Sequence, residues 1–532
     1  MRASDNAAGK GLATMDWLWI LLVGLLVQAF WAARIEQPTY MDAYYYASNG
    51  QRLAAGYGFT EMVVWQFLDE PDGLPAPSHT YWMPLPSLLA AAGYRLLDHF
   101  HGAQLPFWLL AGSLPLLSYI ISQQLSGVRW QAWTAALLTA SGGFYNVFFN
   151  QPTTFAPFAW AGGACLLFLA LAHRQPAWYW WLLAGLTAGL AHLTRADGML
   201  LLMVGLFVGL IEIRDWRLEI RLISNFQSSI VTLGLLLVGY FLVMGGWFIR
   251  NWLVLGRPLA TAGTQTIFLT TYDDLFAYGR SFDLSYLVTW GWGNILRSRL
   301  EGVSLALQTF VAVGCLIFLT PFVLWAWVVI RRNASRWLLL RPVTWYALTL
   351  LVTMSLIFTF PGGRGGLFHS SAALWPWLMA LAAAGIDLAV NWTARYLRHW
   401  RPERASRIFA GLFVVVAFAM SFALALPRAA NSEEGLFYKQ IANRLPAGAV
   451  VMVGDAPGFY YHTGLAAVSV PNEPVEVLLQ AAARYNVTYL ILDENRPQPL
   501  DVLYGGQTTS PHIRPVADFD DIRVYQLWPE DE

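Results

Sequence analysis

Long apolar runs separated by short polar segments fill the first 430 residues of the chain. A helix that spans a bilayer needs about 20 mostly apolar residues. Runs of this kind predict transmembrane helices at 16–34, 106–123, 131–149, 153–172, 177–193, 198–212, 228–249, 303–330, 343–360, 371–390 and 408–427. A shorter stretch, 84–98, either spans the membrane or lies at its surface. The predicted total is therefore about 11–13 spans.

The pattern changes after residue 428. Residues 474–485 have helical spacing, and three short β-branched runs predict strands: 449–455, 466–471 and 487–494. We therefore expect a mainly α protein, a polytopic membrane helix bundle over residues 1–428, followed by a small α/β domain over 429–532.

Composition agrees with a membrane protein. The 532 residues are 57% hydrophobic and only 12% charged, too little charge for the surface of a soluble protein of this size. The formal net charge is zero, which predicts no nucleic-acid partner.

The distribution of charge predicts the orientation. Arginine-rich segments at 214–221, 331–341 and 395–407 are typical of the cytoplasmic side, whereas the large first loop, 35–83, is acidic. We expect a multi-pass protein of the cytoplasmic (plasma) membrane with its N-terminus inside. The C-terminal α/β domain is then extracytoplasmic.

The first loop contains the most prominent candidate for chemistry. Residues 41–54 predict a helix that ends at Gly56 and Gly58, both suited to positive φ. Four polar side chains share one face of this helix: Asp42, Tyr45, Tyr46 and Asn49. An acid at a helix N-terminus beside an aromatic belt is the simpler interpretation of this face.

Other predicted external loops also carry unusual polar groups, and arginines there oppose the positive-inside tendency. Each arginine alone is explained by contact with lipid headgroups. Together with one acid and two histidines, they predict a phosphate pocket at the lipid surface. The candidate binding residues outside the first helix are His79, Arg195, Asp197, Arg250, Asn251, Arg364 and His369.

Four short motifs carry a resemblance to a known family: "MDAYYYASNGQRLAAGYG", "YWMPLPSLL", "LTRADGML" and "WFIRNWLVLGRPL". In this order between apolar runs, they resemble the GT-C superfamily of membrane glycosyltransferases. More narrowly, they resemble dolichyl-phosphate-mannose–protein mannosyltransferase-like enzymes and their bacterial relatives that use undecaprenyl-phosphate sugars.

The resemblance implies a GT-C type bundle and a polyprenyl-phosphate sugar as donor. It further implies Asp42 as the general base of an inverting transfer to a glycan, lipid or protein acceptor. Arg195, Arg250 and Arg364 would then neutralise the departing lipid phosphate. The remaining substrate-binding candidates are Tyr45, Tyr46, His79, Asp197, Asn251 and His369.

One segment departs from the family pattern. Many relatives have a second acid where this chain reads "NVFFNQPTTFAPF", residues 146–158, which contains no carboxylate. This segment could bind substrate through neutral hydrogen bonds, the enzyme could work differently, or the chain could be an inactive member.

Two other classes of function remain open. One is a transporter or flippase, and the other is a non-catalytic envelope assembly or sensor protein whose tail binds a partner. No nucleotide-phosphate loop is present in the sequence, which argues against an energy-driven pump. A divalent metal held by Asp42 and other external acids is conceivable, but those acids are scattered, so we expect no metal site.

Overall fold

The computed structural model describes residues 2–175, 177–217, 224–260, 262–397, 401–429, 434–507, 510–519 and 521–528, with side chains outside 2–14, 211–230 and 434. The predicted cytoplasmic segments 214–221 and 395–407 lie partly outside the described residues. Contacts divide the chain into two compact units. The helical unit comprises Met1–Glu36, Gln104–Arg250 and Arg299–Ala430, and the sheet unit comprises Gln37–Ala103, Asn251–Ser298 and Asn431–Glu532.

Helices account for most of the chain. From the N-terminus to the middle of the sequence they are α1 Arg2–Ala32, α2 Met41–Ala54, α3 Leu85–Leu96, α4 Phe100–Ser126, α5 Arg129–Ala140, α6 Asn146–Phe149, α7 Phe155–Arg174, α8 Trp178–Thr194, α9 Met199–Arg217 and α10 Ser224–Leu255. The later helices are α11 Ala262–Gln265, α12 Leu284–Thr289, α13 Trp292–Thr309, α14 Thr320–Ile330, α15 Ala334–Val352, α16 Thr359–Pro361, α17 Leu367–Ser371, α18 Trp375–Thr393, α19 Pro402–Ala425, α20 Glu434–Ala442, α21 Ala456–Thr463, α22 Val475–Arg484 and α23 Asp501–Tyr504.

Seven helical segments within the described residues are long and apolar enough to cross a membrane: Met15–Ala32, Phe100–Ser126, Phe155–Arg174, Val231–Leu255, Ala334–Ile357, Thr359–Thr393 and Pro402–Arg428. Two shorter apolar helices are Ala196–Leu210 and Thr320–Ile330. The chain is therefore a polytopic, mainly helical membrane protein, as the apolar runs predicted. The total of 11–13 spans stays a prediction. At 12 residues, α3 is shorter than a spanning helix requires.

Two of the predicted spans are interrupted. The run 131–149 ends its helix at Ala140, and Gly142 and Gly143 follow with positive φ. The run 303–330 is broken where Leu316 and Ile317 adopt φ values of 48° and 63°. Uniform apolar composition cannot reveal such breaks, because they depend on packing against neighbouring helices.

Small residues allow close helix packing in the helical unit. A Cβ added at Gly185 in α8 would lie 2.1 Å from the carbonyl oxygen of Leu236 in α10. Only glycine lets two backbones approach so closely, which is the usual basis of helix association in membranes.

The sheet unit contains two sheets. In the described residues the strands are β1 Thr60–Glu61, β2 Val63–Val64, β3 Ala76–Pro77, β4 Val451–Val453, β5 Ala467–Ser469, β6 Tyr489–Leu492, β7 Ile513–Phe519 and β8 Ile522–Leu527. The first and third pair antiparallel. The other six form one sheet in the order β2-β5-β4-β6-β8-β7, with parallel pairing from β2 to β6 and antiparallel pairing at β8 and β7.

Helices cover both faces of this larger sheet. Met452 and Leu478 belong to one apolar cluster, which includes much of α22, whereas Val451, Val453 and Tyr45 belong to the other, which includes α2. Alternate residues of a strand point to opposite faces, so β4 contributes to both clusters. The result is a three-layer α/β/α arrangement.

The C-terminal predictions are confirmed in outline. The three predicted strands correspond to β4, β5 and β6, and the predicted helix 474–485 corresponds to α22. The sequence predicted a division at residue 428, whereas the contacts group the first loop with the C-terminal segment. The physical reason is that β2 pairs with β5 and that α2 packs on the same sheet.

Candidate functional site

Helix α2 holds Asp42 in its first turn, within the sheet unit. The helix begins after Tyr40, whose backbone is extended, and no side chain caps its N-terminus. An acid in the first turn is favoured there by the helix dipole. Asp42 is half-buried, whereas every residue from Ala43 to Gly50 is buried. The carboxylate thus stands at the accessible end of a firmly packed helix.

The predicted glycine turn after α2 is confirmed. Gly56 and Gly58 have φ values of 89° and 69°. Gly50 within the helix is also required, because an added Cβ would lie 2.7 Å from Cβ of Ala90 in α3. The helix is therefore clamped between the sheet and α3.

A hydrogen-bond network ties the loop before α3 to α2. The His79 amide donates to the Tyr45 hydroxyl over 2.9 Å, and His79 Nε2 lies 3.0 Å from Ser87 Oγ. Ser87 Oγ donates to the Tyr46 carbonyl over 3.2 Å. Because that hydroxyl proton is used, His79 Nε2 is the donor to Ser87, and Nδ1 accepts from Ser78 over 2.8 Å.

Burial of these side chains is nearly complete. Tyr45, Tyr46 and His79 are 2%, 1% and 2% exposed. His79 also has φ of 62°, a left-handed conformation that costs energy and persists because its hydrogen bonds hold it. These contacts make all three residues supports of α2, and their predicted contact with substrate stays a prediction.

The pKa of Tyr45 lies well above its ordinary value. Burial of the hydroxyl is the main cause, and the adjacent Glu61 carboxylate adds to it. Tyr45 therefore stays protonated at neutral pH and acts as a hydrogen-bond donor toward Glu61. An aromatic cluster encloses this group, with Trp82 stacked on Trp65 at 3.9 Å and edge-on to Tyr45 at 4.7 Å.

The helical unit brings together a second set of candidate residues. Arg195 and Asp197 lie in the link between α8 and α9, and Arg195 Nε is 2.9 Å from Asp197 Oδ1. The Ser370 hydroxyl donates to the Asp197 carboxylate and lies 3.2 Å from Arg195 Nε. Tyr346 donates to the Ser370 carbonyl over 3.1 Å. The ion pair is thus satisfied by protein groups.

His369 adjoins Ser370 in sequence but has its own partners. Its Nδ1 lies 2.7 Å from Thr154 Oγ1, and its ring stacks on Phe155 at 3.9 Å. The structure therefore brings Arg195, Asp197 and the His369 segment together within one unit.

The remaining candidates lie elsewhere. Arg364 is exposed within the glycine-rich segment Gly362–Gly366. Arg250 is half-buried, with its guanidinium 4.8 Å above the ring of Trp247. Asn251 belongs to the sheet unit, is 2% exposed, and donates to the Pro258 carbonyl over 3.2 Å. It closes the turn that follows α10.

Residues 146–158, where many family members have a second acid, are packed into the helical unit. Asn150, Gln151 and Thr153 are fully buried. Asn150 Nδ2 donates to Gln28 over 2.6 Å, Gln151 to the Val147 carbonyl over 3.0 Å, and Thr153 to the Phe148 carbonyl over 2.7 Å. Their amides and hydroxyls serve the local fold, which gives little support to the idea that this segment binds substrate through neutral hydrogen bonds.

A polar cavity of about 260 Å³ lies within the sheet unit and was not predicted as a site. Its walls include four acids of the first loop: Glu61, Asp69, Glu70 and Asp72. The acidity of the first loop is the sequence signal for this cavity, but by itself it indicates only on which side of the membrane the loop lies. No three His, Cys, Asp or Glu side chains are grouped as a metal site within the described residues.

Comparison with known proteins finds similarity in structure only. No protein-family model and no curated protein matches the chain. The solved structure of ArnT from Cupriavidus metallidurans bound to undecaprenyl phosphate is similar with a TM-score of 0.54 and 14% identity, over 96% of this chain and 98% of that one. Archaeal oligosaccharyltransferase AglB from Archaeoglobus fulgidus, in complex with an inhibitory peptide and a dolichol-phosphate, is similar with a TM-score of 0.52 and 12% identity. That similarity covers 90% of this chain and 70% of AglB.

Proposed function

This chain has the GT-C fold, and on that premise we propose that it is an integral-membrane glycosyltransferase with a polyprenyl-phosphate sugar as donor. The observation that carries the proposal is a fold shared over almost the full length of both chains with a protein bound to undecaprenyl phosphate. The dolichol-phosphate bound to AglB supports the same class of carrier. Transfer takes place on the extracytoplasmic face of the cytoplasmic membrane, to a glycan, lipid or protein acceptor.

Asp42 is the proposed general base. Its carboxylate takes the proton of the acceptor hydroxyl while the acceptor oxygen bonds to the anomeric carbon of the sugar. The bond from that carbon to the lipid phosphate breaks, and the configuration inverts. Support comes from the position of Asp42, half-buried in the first turn of a helix whose next eight residues, Ala43 to Gly50, are buried.

The leaving lipid phosphate needs a positive charge nearby. Three arginines are the proposed source of that charge. Arg364 is exposed, Arg250 is half-buried beside Trp247, and Arg195 is paired with Asp197. Guanidinium groups suit phosphate because they donate two parallel hydrogen bonds.

The test is a transfer assay with purified protein and a set of radiolabelled polyprenyl-phosphate sugars, followed by extraction of labelled product. Asp42→Asn should lower transfer by about 10²- to 10⁴-fold, the usual contribution of a general base. Asp98→Asn removes an exposed acid of the same unit and should leave transfer unchanged.

Two results would contradict the proposal at different levels. If Asp42→Asn transfers sugar as fast as the unchanged protein, Asp42 is not the base. If the unchanged protein leaves all label on every donor lipid with every acceptor offered, the chain is not a glycosyltransferase of this class.

A further inference from the structure

The cavity of the sheet unit is built by segments distant in sequence. Strands β1 and β2 and the loop that follows them form one wall, and residues after α10, among them Arg257 and Ala260, form another. Its volume is about 260 Å³. That is space for one monosaccharide-sized group and below the usual size of pockets for larger ligands.

The acidic rim of the cavity is anchored. The Gly279 amide donates to Glu70 Oε1 over 2.8 Å. Arg484 of α22 donates to the Glu70 carbonyl over 2.7 Å and lies 3.4 Å from Asp72 Oδ1. The rim is therefore held in place by partners outside the cavity and is preorganised for a ligand.

The inner lining combines an aromatic ring with hydrogen-bonding groups. Trp65 and Gln66 are each 4% exposed, and Glu61 is 7% exposed. The Gln66 amide donates to the Asp69 carboxylate. Burial raises the pKa of Asp69, although hydrogen bonds from Thr80 and Gln66 oppose that rise. Aromatic, amide, hydroxyl and carboxylate groups together provide apolar contact and acceptors for a ligand rich in N–H or O–H donors.

The charge of the lining disfavours anionic ligands. Four carboxylates line the cavity, and Arg257 is the cationic residue among the lining residues that the structure describes. Arg484 contacts Glu70 and Asp72 from outside the cavity, so four acids face two guanidinium groups and the cavity keeps a net negative charge. A phosphate would meet repulsion from these acids. The acids are also spread around the wall, and no three of them are grouped to hold one metal ion within the described part of the chain. The arrangement fits an extended ligand with several donors and no negative charge.

The cavity is connected to the helix that carries Asp42. Glu61 lines the cavity and interacts with the Tyr45 hydroxyl, and Tyr45 lies one turn after Asp42 on α2. The Glu61–Tyr45 contact therefore joins the wall of the cavity to the helix that carries the proposed base.

We propose that this cavity binds the acceptor, through a hydroxylated ring that is neutral or carries an amino group, and does not bind the phosphate of the donor. The assignment to the acceptor rests on the proposed function. The binding preference itself rests only on the lining and can be measured without turnover.

The experiment measures binding of free monosaccharides to the detergent-solubilised full chain by saturation-transfer NMR, in the absence of any lipid donor. The probes are glucosamine, glucose and glucuronate, which share a ring and differ in charge, together with inorganic phosphate. Glucosamine and glucose should give saturable signals, with glucosamine binding at least tenfold more tightly than glucuronate and with no competition by phosphate.

Asp69→Asn keeps the shape of the cavity and removes one negative charge, and it should weaken glucosamine binding about fivefold relative to glucose. Asp518→Asn on β7 makes the same change outside the cavity and should have no effect. Thermal unfolding of both variants verifies that they fold.

The proposal is overturned if glucuronate binds as tightly as glucosamine, if Asp69→Asn leaves glucosamine binding unchanged, or if no sugar gives a saturable signal. Failure of the glycosyltransferase proposal looks different. In that case donor lipids keep their label while glucosamine still binds and Asp69→Asn still weakens it.

Discussion

The charged groups of the two units differ in their surroundings. In the helical unit, Arg195, Asp197 and Ser370 satisfy one another. In the sheet unit, several acids line one cavity with a single cationic lining residue in the described chain, Arg257. The apolar surroundings of the first set make any unpaired charge very costly, whereas water can enter the second. Charged groups have partners in both units, since Arg484 contacts Glu70 and Asp72. The difference is that the acids of the sheet unit line a cavity with space for a ligand.

A similar contrast exists between two acids. Asp16 at the start of the first apolar span accepts two hydrogen bonds from Arg129, both 2.6 Å, and one from Tyr119 over 3.0 Å. Asp42, at the start of α2, is half-buried on a helix end without a side-chain cap. In the sequence, both acids lie near the start of a predicted helix. Their surroundings in the structure differ, and on that basis we give Asp16 a structural role and propose a catalytic role for Asp42.

The largest expected effect comes from breaking the ion pair of the helical unit. Asp197→Ala leaves Arg195 without its counter-charge, and the two side chains are only 12% and 16% exposed. We expect a loss of about 3–5 kcal/mol in the free energy of unfolding, measured by denaturation in detergent. The double variant Arg195→Leu with Asp197→Leu removes both charges and should recover most of that loss. Equal instability of the single and double variants would show that the pair is not coupled.

The second expected effect is a pH-dependent loss of stability caused by His462 in the sheet unit. His462 is 9% exposed among Tyr44, Tyr438 and Tyr461, and its Nε2 has no hydrogen-bond partner in the described residues. Burial, with a smaller contribution from Lys439, lowers its pKa to about 4. Because the folded pKa is below the unfolded value, the contribution to stability is complete above pH 6.5 and is lost as pH falls through 4.

For His462 we expect the free energy of unfolding to fall by up to roughly 3 kcal/mol between pH 7 and pH 4. Thermal unfolding across this range measures it, with His462→Gln as the matched variant that lacks the titrating ring. An equally steep fall in that variant would assign the pH dependence to other groups.

The smallest expected effect is a gain in stability on changing Asp69 to Asn. It tests the difference between the two units most directly. The pKa of Asp69 is raised by burial, so its ionised form is disfavoured in the folded chain. Its protonation favours folding below its unfolded pKa of about 3.9, and this advantage is lost as pH rises through the folded value. Asp69→Asn should therefore match the unchanged protein in acid and be slightly more stable at neutral pH.

Denaturation of Asp69→Asn at neutral and acid pH measures this difference. A marked destabilisation at neutral pH would mean that the cavity acids are as tightly paired as those of the helical unit, and the contrast between the units would fail.

Local patterns predict several elements, and α2 with its bounds. Helix α2 covers the predicted residues 41–54, and the glycines after it have positive φ. Strands β4, β5 and β6 and helix α22 also follow the predicted runs. These features depend on side-chain periodicity and on the freedom of glycine, which are properties of a few neighbouring residues.

Elements formed by distant pairing were not predicted. Strand β2 has only two residues, and it exists because Val63 and Val64 pair with β5, some 400 residues later in the chain. The hairpin of β7 and β8 was also missed. The candidate residues Tyr45 and His79 were recognised as unusual, but their near-complete burial was not foreseen.

The sequence by itself determined that this chain enters a membrane, that its tail forms an α/β sheet, and that an acid stands at the start of the first polar helix. Each follows from hydrophobic pattern, which acts locally. Only the tertiary structure decided that the first loop belongs with the C-terminal sheet, that Arg195 is balanced by Asp197, and that the loop acids line a cavity. Burial and pairing arise from residues hundreds of positions apart, and no local pattern carries that information.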